Sequence, residues 1–436
     1  MTTDEKYKEA LDELYNSFNA FHKVGAAAYC PGLDTALALD KAFGNPAQKI
    51  ACVHIAGTNG KGSTAHTLAA VLSASGYKTG LFTSPHLIDF RERIRINGEM
   101  IPKERVVNFM ERWREMKLPL SPSFFEITSC MAFDYFAQEE IDIAVIEVGL
   151  GGRLDSTNII TPKISIITNI SLDHTALLGS TEEEIAVEKA AIIKPGVPVV
   201  IGEAEGKVRR VFEEKAHQSS SPIVFAGESG AVRSVKGEEN ETPVYDTPFG
   251  RIRGELTGSW QHKNAATILT TLMELQALGF SRITPEAIAD GFAHVKELTG
   301  LEGRWSVISE HPTVITDTGH NVGGWKYLAK RLASIQGRKN MIIGFVADKD
   351  IDAVLRLISE IQNTQIWITQ ASTPRALPAE ALAEKARNAG LNVADTEPSV
   401  FTAYKKALAA SSESDTVFVG GSTFVVADLL EALKRD

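Results

Sequence analysis

The sequence predicts an α/β protein. An N-terminal domain is built on a mostly parallel, P-loop-type sheet flanked by helices, and a smaller C-terminal domain is Rossmann-like. Three observations carry this. A β-turn-α-β pattern runs over residues 49–83, with a glycine-rich turn between strand and helix. Near-continuous apolar runs at 142–148 (DIAVIEV) and 163–169 (KISIITN) read as strands covered on both faces. Strand and helix patterns then alternate afresh from near 298 to the end, over roughly 135 residues, a normal domain size.

The elements follow in order. Residues 4–18 carry Tyr7, Leu11, Leu14 and Phe18 at helical spacing. A loop with Tyr29, Pro31 and Gly32 precedes a helical stretch at 33–43. Residues 49–56 form the first strand, 57–62 the turn, 63–75 a helix closed by Gly76, and 78–83 the second strand. A helix at 181–193 leads through Pro195-Gly196 to a strand at 197–201. Residues 227–256 are polar and glycine-rich with short β-like pieces, a peripheral hairpin region, and 261–278 is a helix. The expected domains are 1–298 and 299–436. In the second, strands are expected at 305–308, 313–316, 341–345, 365–369 and 416–419. Helices are expected at 324–335, 351–361, 379–389, 400–410 and 423–434.

Composition limits function. The 436 residues exceed one ordinary core, and 44% hydrophobic with 23% charged residues is a folded composition. Lys and Arg number 45 against 55 Asp and Glu, a net charge of −10. That counts against a non-specific nucleic-acid binder, but a few local donors can still hold a phosphate. Cys30, Cys52 and Cys130 are too few and too scattered for a disulfide framework or a zinc site. The N-terminus is acidic and amphipathic, unlike a signal peptide, and no apolar run approaches the ~20 residues of a membrane span. A monomeric cytoplasmic protein with no membrane or nucleic-acid partner is expected.

The strongest chemical signal is Gly57-Thr58-Asn59-Gly60-Lys61-Gly62-Ser63-Thr64. Between a strand and a helix, glycines let backbone N–H groups converge on phosphate oxygens, and Lys61 adds a point charge. The spacing is not a strict Walker A. The bland reading is a β-α turn with an incidental lysine. Glu147 closes a buried strand before Gly149, Gly151 and Gly152, where a carboxylate can hold Mg²⁺ against phosphates or simply be a solvated loop acid. Asp173-His174 follows the next strand, and His174 reads as a metal ligand, an acid–base group or a loop cap. Ser84-Pro85-His86 ends a fourth strand, with a hydroxyl that can complete a metal shell. Asp317-Thr318-Gly319-His320-Asn321 is a ligand loop or an Asp/Asn/Gly turn. Lys189 reads as a solvated helix lysine.

These segments together resemble the folylpolyglutamate synthase/dihydrofolate synthase family, within the Mur ligase superfamily. The carrying motifs are PGLDTALALDKAFGNP, HIAGTNGKGST, SPHLIDFRERIRING, SFFEITSCMAFDYF, IEVGLGGRLDSTNI, ITNISLDHTALLG, EKAAIIKPG, GSWQHKNA, TDTGHN and GGSTFVVADLL. The resemblance implies an ATP-dependent amide ligase that adds L-glutamate to dihydropteroate or a reduced folate through an acyl phosphate. It implies that the 57–64 loop wraps the ATP phosphates, and that Asn264, Arg304 and Asp317 contact ATP from the far side. Ser84, Glu147 and His174 become ligands to Mg²⁺, two ions in all, and Lys189 matches a lysine carbamylated in some members. His320 falls near the incoming glutamate. Ser123, Phe124, Phe125 and Glu126, with Leu154, Asp155 and Ser156, line the pterin side. Asp317-Thr318-Gly319-His320-Asn321-Val322 departs from the family's D-G-A-H-N-P, and Trp260 stands where a smaller or basic residue is frequent. A cell-wall-type Mur ligase and a non-catalytic nucleotide-binding regulator are the competing readings. The first usually carries an extra domain before the phosphate loop, and the second is disfavoured by the presence of Lys61, Glu147 and His174.

Overall fold

The computed structural model describes residues 1–19 and 32–435. The expected loop at Tyr29 and Pro31, and Cys30, lie outside the described residues. The N-terminal sheet contains β1 (Cys52–Ala56), β2 (Thr79–Phe82), β3 (Ile94–Ile96), β4 (Glu99–Met100), β5 (Ile143–Glu147), β6 (Ile164–Ile167), β7 (Val199–Ile201) and β8 (Ile223–Phe225). Their spatial order is β4-β3-β2-β5-β1-β6-β7-β8. The pairs from β2 to β8 are parallel, and β3 and β4 add an antiparallel edge. Every residue of β1, β5 and β6 is buried, as their apolar runs require.

A three-stranded antiparallel sheet of β9 (Ser234–Lys236), β10 (Val244–Thr247) and β11 (Gly250–Arg253) forms the peripheral region. A second large sheet follows: β12 (Ser306–Glu310), β13 (Thr313–Asp317), β14 (Lys339–Ile343), β15 (Thr364–Gln370), β16 (Val393–Ser399) and β17 (Thr416–Gly420). Its order is β12-β13-β17-β14-β15-β16, parallel except for the β12–β13 hairpin. β16 is absent from the sequence reading because its polar, half-exposed VADTEPS lacks an apolar run. Lys103–Met116 and Phe124–Gln138 are helices that the sequence reading leaves unassigned.

Register determines what emerges at each sheet edge. Ile55 pairs with Glu147, Ala56 with Ile167, and Phe82 with Ile146. The residues that follow, Gly57, Thr83, Val148 and Thr168, therefore leave the sheet side by side, with Ser84 next after Thr83. In the second sheet Asp317 and Ile343 both pair with Gly420, so the loops after β13, β14 and β17 also emerge together. Ligands bind at such carboxyl edges in open α/β sheets. No described helix is long and apolar enough to cross a membrane.

The helix Lys61–Ala74 carries the phosphate loop and is buried nearly all round. The helix Pro285–Ala293 touches it at Gly291, where a Cβ would lie 2.5 Å from the Val71 Cα. Backbone cannot yield as a side-chain tip can, so Gly291→Val should cost about 1–3 kcal/mol through overpacking. A denaturant midpoint equal to that of the parent chain would refute this contact.

Candidate active site

Gly57 and Gly60 hold φ of +144° and +83°. A methyl group on Gly57 would overlap the Thr168 hydroxyl, and one on Gly60 would reach 2.5 Å from Asn264 Oδ1. Glycine is needed at both for space and for conformation. The loop is tied to the end of β6. Thr58 N donates to Asn169 O (2.9 Å), Asn59 N to Asn169 Oδ1 (3.0 Å), and Thr168 Oγ1 to Asn59 O (2.6 Å). Lys61 opens the helix, and its Nζ donates to the carbonyls of Gly57 (3.0 Å) and Thr58 (3.1 Å). Burial lowers the Lys61 pKa, while Glu147 and Asp173 favour its charge. The hydroxyl of Thr64, one turn on, is buried without a partner. Ser63 Oγ accepts from Gln261 Nε2 at 3.5 Å, and Gln261 Oε1 accepts from Asn264 Nδ2 at 2.8 Å. A glycine loop, a helix N-terminus and a buried lysine together have the chemistry to hold an anion.

Glu147 is 4% exposed, and the Ser84 backbone N–H donates to its Oε2 (3.1 Å). Burial raises its pKa against the pull of Lys61. Ser84 and Glu147 are thus brought together. His174 instead joins Asp173 and Lys349, with its Nε2 at 3.5 Å from Lys349 Nζ. Among the described residues no three His, Cys, Asp or Glu converge as a ready cation cage. A divalent ion held here would complete its shell from phosphate oxygens and water, as Mg²⁺ does. A buried carboxylate with a hydroxyl-bearing neighbour fits that requirement.

Asp173 connects the two sheets. Its Oδ1 accepts from Lys349 Nζ (2.6 Å) and its Oδ2 from Asn321 Nδ2 (2.9 Å). The same Asn321 amide donates to Asn59 Oδ1 (3.1 Å), in the phosphate loop. Burial alone would raise the Asp173 pKa, but Lys349, joined by His174 and His320 in the acid range where they carry charge, holds it well below the usual carboxylate range. His174 and His320 are both pulled down to about 4, by burial first and then by Lys349. Both imidazoles are neutral at pH 7. Arg304 donates to the Thr318 hydroxyl. Asp317 is a loop former: its two oxygens accept from Trp305 N and Gly319 N, each at 2.8 Å. Sequence reasoning missed Lys349 and Arg375, although both follow strands of the second sheet and line the same cleft.

The solvated reading of Lys189 is corrected. The side chain is buried at 4% exposure, because Gly152 and Arg153 dock on its helix, with Arg153 N donating to Glu188 O (2.9 Å). A Cβ on Gly152 would stand 3.0 Å from the Lys189 Cα. Burial and then Lys61 pull the ammonium down to about 7. Nearby, Asp155 Oδ2 accepts from Leu150 N (2.8 Å) and Oδ1 from Thr157 N (3.0 Å), which shapes the loop. Ser129 and Ser156 hydroxyls meet at 3.1 Å. Ser123 and Glu126 form a capping box, with Glu126 Oε2 accepting from Ser123 N at 2.7 Å. Phe124 and Phe125 part ways. Phe124 is buried and stacks on Tyr15 (5.6 Å between centroids), whereas Phe125 lies against Gly149 beside the cleft. Residues 57–63, 123–126 and 154–156 line one cleft of about 400 Å³ with Ser84, Glu147, Asp173, His174, Lys189, Asn264, Arg304, Asp317, His320 and Lys349.

The chain matches the Mur ligase middle domain over residues 55–271 and the Mur ligase glutamate ligase domain over 303–423. It is 35% identical to the folylpolyglutamate synthase of Lacticaseibacillus casei, over 84% of this chain and 90% of that one. The chain belongs to the folylpolyglutamate synthase/dihydrofolate synthase family. Among solved structures, E. coli FolC in complex with DHPP and ADP superposes with a TM-score of 0.85 at 30% identity, covering 98% of each chain. The bifunctional synthase with Mn, AMPPNP and L-glutamate bound, which is similar at 29% identity, gives 0.81 over 98% of each chain. As a member of this family, the chain is an ATP-dependent ligase.

The buried Lys189 yields a prediction of opposite signs. Its folded pKa lies below the ordinary lysine value, so the unfolded chain holds a proton that the folded chain releases above pH 7. Stability therefore rises as pH climbs from about 7 toward 10.5. Lys189→Met removes this cost. Its melting temperature should exceed the parent's by a few degrees at pH 7 and converge on it near pH 10, while turnover is lost. A lower melting temperature at pH 7 would refute the burial argument.

Proposed function

We propose that the chain catalyses ATP-dependent ligation of L-glutamate to folates, accepting dihydropteroate, folyl-(poly)glutamates or both, through an acyl phosphate. The observation that carries this is one cleft, set at the carboxyl edges of both sheets, that combines a phosphate loop, a buried carboxylate and an aromatic wall at Phe125. An acceptor carboxylate oxygen attacks the γ-phosphorus and ADP leaves. The glutamate amine then attacks the acyl carbon, phosphate departs, and the nitrogen gives up a proton. The protein's task is to neutralise clustered anions and hold them in line.

In this reading the loop N–H groups and Lys61 hold the phosphates, and Lys61 exchanges its two loop carbonyls for phosphate oxygens. Asn264, Arg304 and Asp317 flank the nucleotide from the far side. Ser84 and Glu147 would hold Mg²⁺, with His174 supplying a neutral nitrogen once Lys349 turns to substrate. Bound Mg²⁺ supplies charge neutralisation on the phosphates. Lys189, largely uncharged just above pH 7, has the free amine that adds CO₂ to give a carbamate and a proton, and the carbamate oxygen would serve a second ion. His320, neutral and held by its Nδ1 on the Thr318 carbonyl (3.0 Å), faces the incoming amino acid. Ser123 to Glu126 and Leu154 to Ser156 form the pterin side. The nucleotide analogue, Mn and L-glutamate bound together in the related bifunctional synthase support this arrangement. The protein is proposed to work as a cytoplasmic monomer.

The test is phosphate release from Mg-ATP and L-glutamate, with dihydropteroate in one assay and tetrahydrofolate in another. Turnover is expected with at least one acceptor. Lys61→Ala should lower it by about 10³-fold or more with the fold intact, since the phosphate charge loses its partner. Silence with both acceptors, alongside turnover of a cell-wall precursor, would overturn the assignment. Glu147→Gln should raise the Mg²⁺ needed for half-maximal rate by about tenfold or more, and an unchanged Mg²⁺ titration would remove its ligand role.

A further inference from the structure

One imidazole sits in the middle of an apolar strand. His54 belongs to β1, among Cys52, Val53, Ile55 and Ala56, is fully buried, and does not line the cleft. Strand residues alternate between faces, so it leaves the sheet on the side of Cys52 and Ala56. There its Nε2 meets the Thr157 hydroxyl at 2.8 Å. Its Nδ1 is buried and has no partner among the described residues.

The hydrogen-bond network assigns the protons. Burial, and then the charge of Lys194, pull His54 down to about 3, so the ring is neutral and holds one proton. Thr157 Oγ1 lies 2.5 Å from Asp155 Oδ1. Burial raises the Asp155 pKa, but donors from Thr157, Leu150 and Gly149 favour its charged form. A carboxylate only accepts, so the hydroxyl proton points at Asp155. The hydroxyl oxygen then accepts from Nε2–H, and Nδ1 keeps its lone pair. The other tautomer would bury an unpaired N–H. Asp155 carries the chain of bonds to the cleft. Its Oδ1 also accepts from Thr157 N (3.0 Å) and its Oδ2 from Leu150 N (2.8 Å). The turn so held contains Gly149, against Phe125, and Gly152, against Lys189.

We infer that His54 is a positioning residue: through Thr157 and Asp155 it sets the distance between the phosphate loop and the acceptor wall at 149–155. This rests on the ligase reading above, in which that wall receives the pterin acceptor. Strand β1 thus governs both partners of the transfer. Its end releases the phosphate loop at Gly57, and His54, three residues earlier, braces the wall. Attacking carboxylate and γ-phosphorus must meet in line, where errors near 1 Å are costly. A leucine at 54 would fill the sheet face but leave the Thr157 hydroxyl free to turn.

The test compares two substrates across one set of variants. His54→Leu should raise the KM for the acceptor about tenfold or more and leave the KM for ATP within about twofold of the parent. His54→Gln, whose amide N–H reaches as far as Nε2, should restore most of the acceptor KM. Thr157→Val should repeat the leucine phenotype, and Thr157→Ser should stay near the parent. The double variant His54→Leu/Thr157→Val should be no worse than Thr157→Val alone. If His54→Leu does not fold, the two Thr157 variants decide. An unchanged acceptor KM, an equal rise in both KM values, or no rescue by glutamine would overturn the inference and leave His54 a packing residue. The tautomer is read without activity, from spectra of the chain with nitrogen-labelled histidine. One ring signal, missing from His54→Gln, should carry its proton on Nε2 and not titrate across neutral pH. A proton on Nδ1 would overturn the brace. A parent chain with the expected tautomer that ligates glutamate to neither acceptor would defeat the functional assignment instead.

Discussion

One side-chain amide joins the two walls of the cleft. Both hydrogens of Asn321 Nδ2, at the edge of the second sheet, are spent on the first: one on Asn59 in the phosphate loop, one on Asp173 after β6. Lys349, also from the second sheet, meets the remaining oxygen of Asp173. Neither sheet alone lines the cleft. The first supplies the phosphate loop, Glu147 and Lys189, and the second supplies Arg304, His320 and Lys349. Their juxtaposition depends on a few directional bonds, and transfer geometry is sensitive to displacements near 1 Å.

The second constraint is buried charge. Lys61, Lys189, Glu147, Asp173 and Asp317 are all withdrawn from bulk water around one cleft. Such groups cost stability and are retained where they act on charge that arrives with substrate. Their pKa shifts separate along functional lines. Asp173, matched with Lys349, stays firmly ionised and holds structure. Glu147, exposed to desolvation, remains open to a cation. Lys189 is pulled to where ammonium and amine coexist at neutral pH.

Much of this was legible in the sequence. The glycine loop, Glu147 and the TDTGHN segment each follow an apolar run, and parallel pairing brings such ends together. What escaped has physical causes. Lys189 looks solvated because nothing in its helix reveals that Gly152, distant in sequence, lets the 149–155 loop cover it. Lys349 follows strand β14 just as Lys61 follows β1, but it lies in an acidic DKD run that reads as surface. Ser123 and Glu126 show the S-x-x-E pattern of a helix cap, a local explanation available before any pterin contact. Phe124 and Phe125 are adjacent in sequence and both border the cleft, yet consecutive helical residues point about 100° apart, so Phe124 is buried against Tyr15 while Phe125 lies against Gly149.

The most direct test of the account is a comparison of ATP binding and turnover in Asn321→Ala. The phosphate loop belongs to the first sheet and should still bind Mg-ATP within a few-fold of the parent. The rate of phosphate release with acceptor and L-glutamate should fall by about 100-fold, because the second sheet is no longer held in register. Equal loss of ATP binding and turnover would place the whole effect in nucleotide binding. A parent-like rate would contradict the claim that this amide assembles the site.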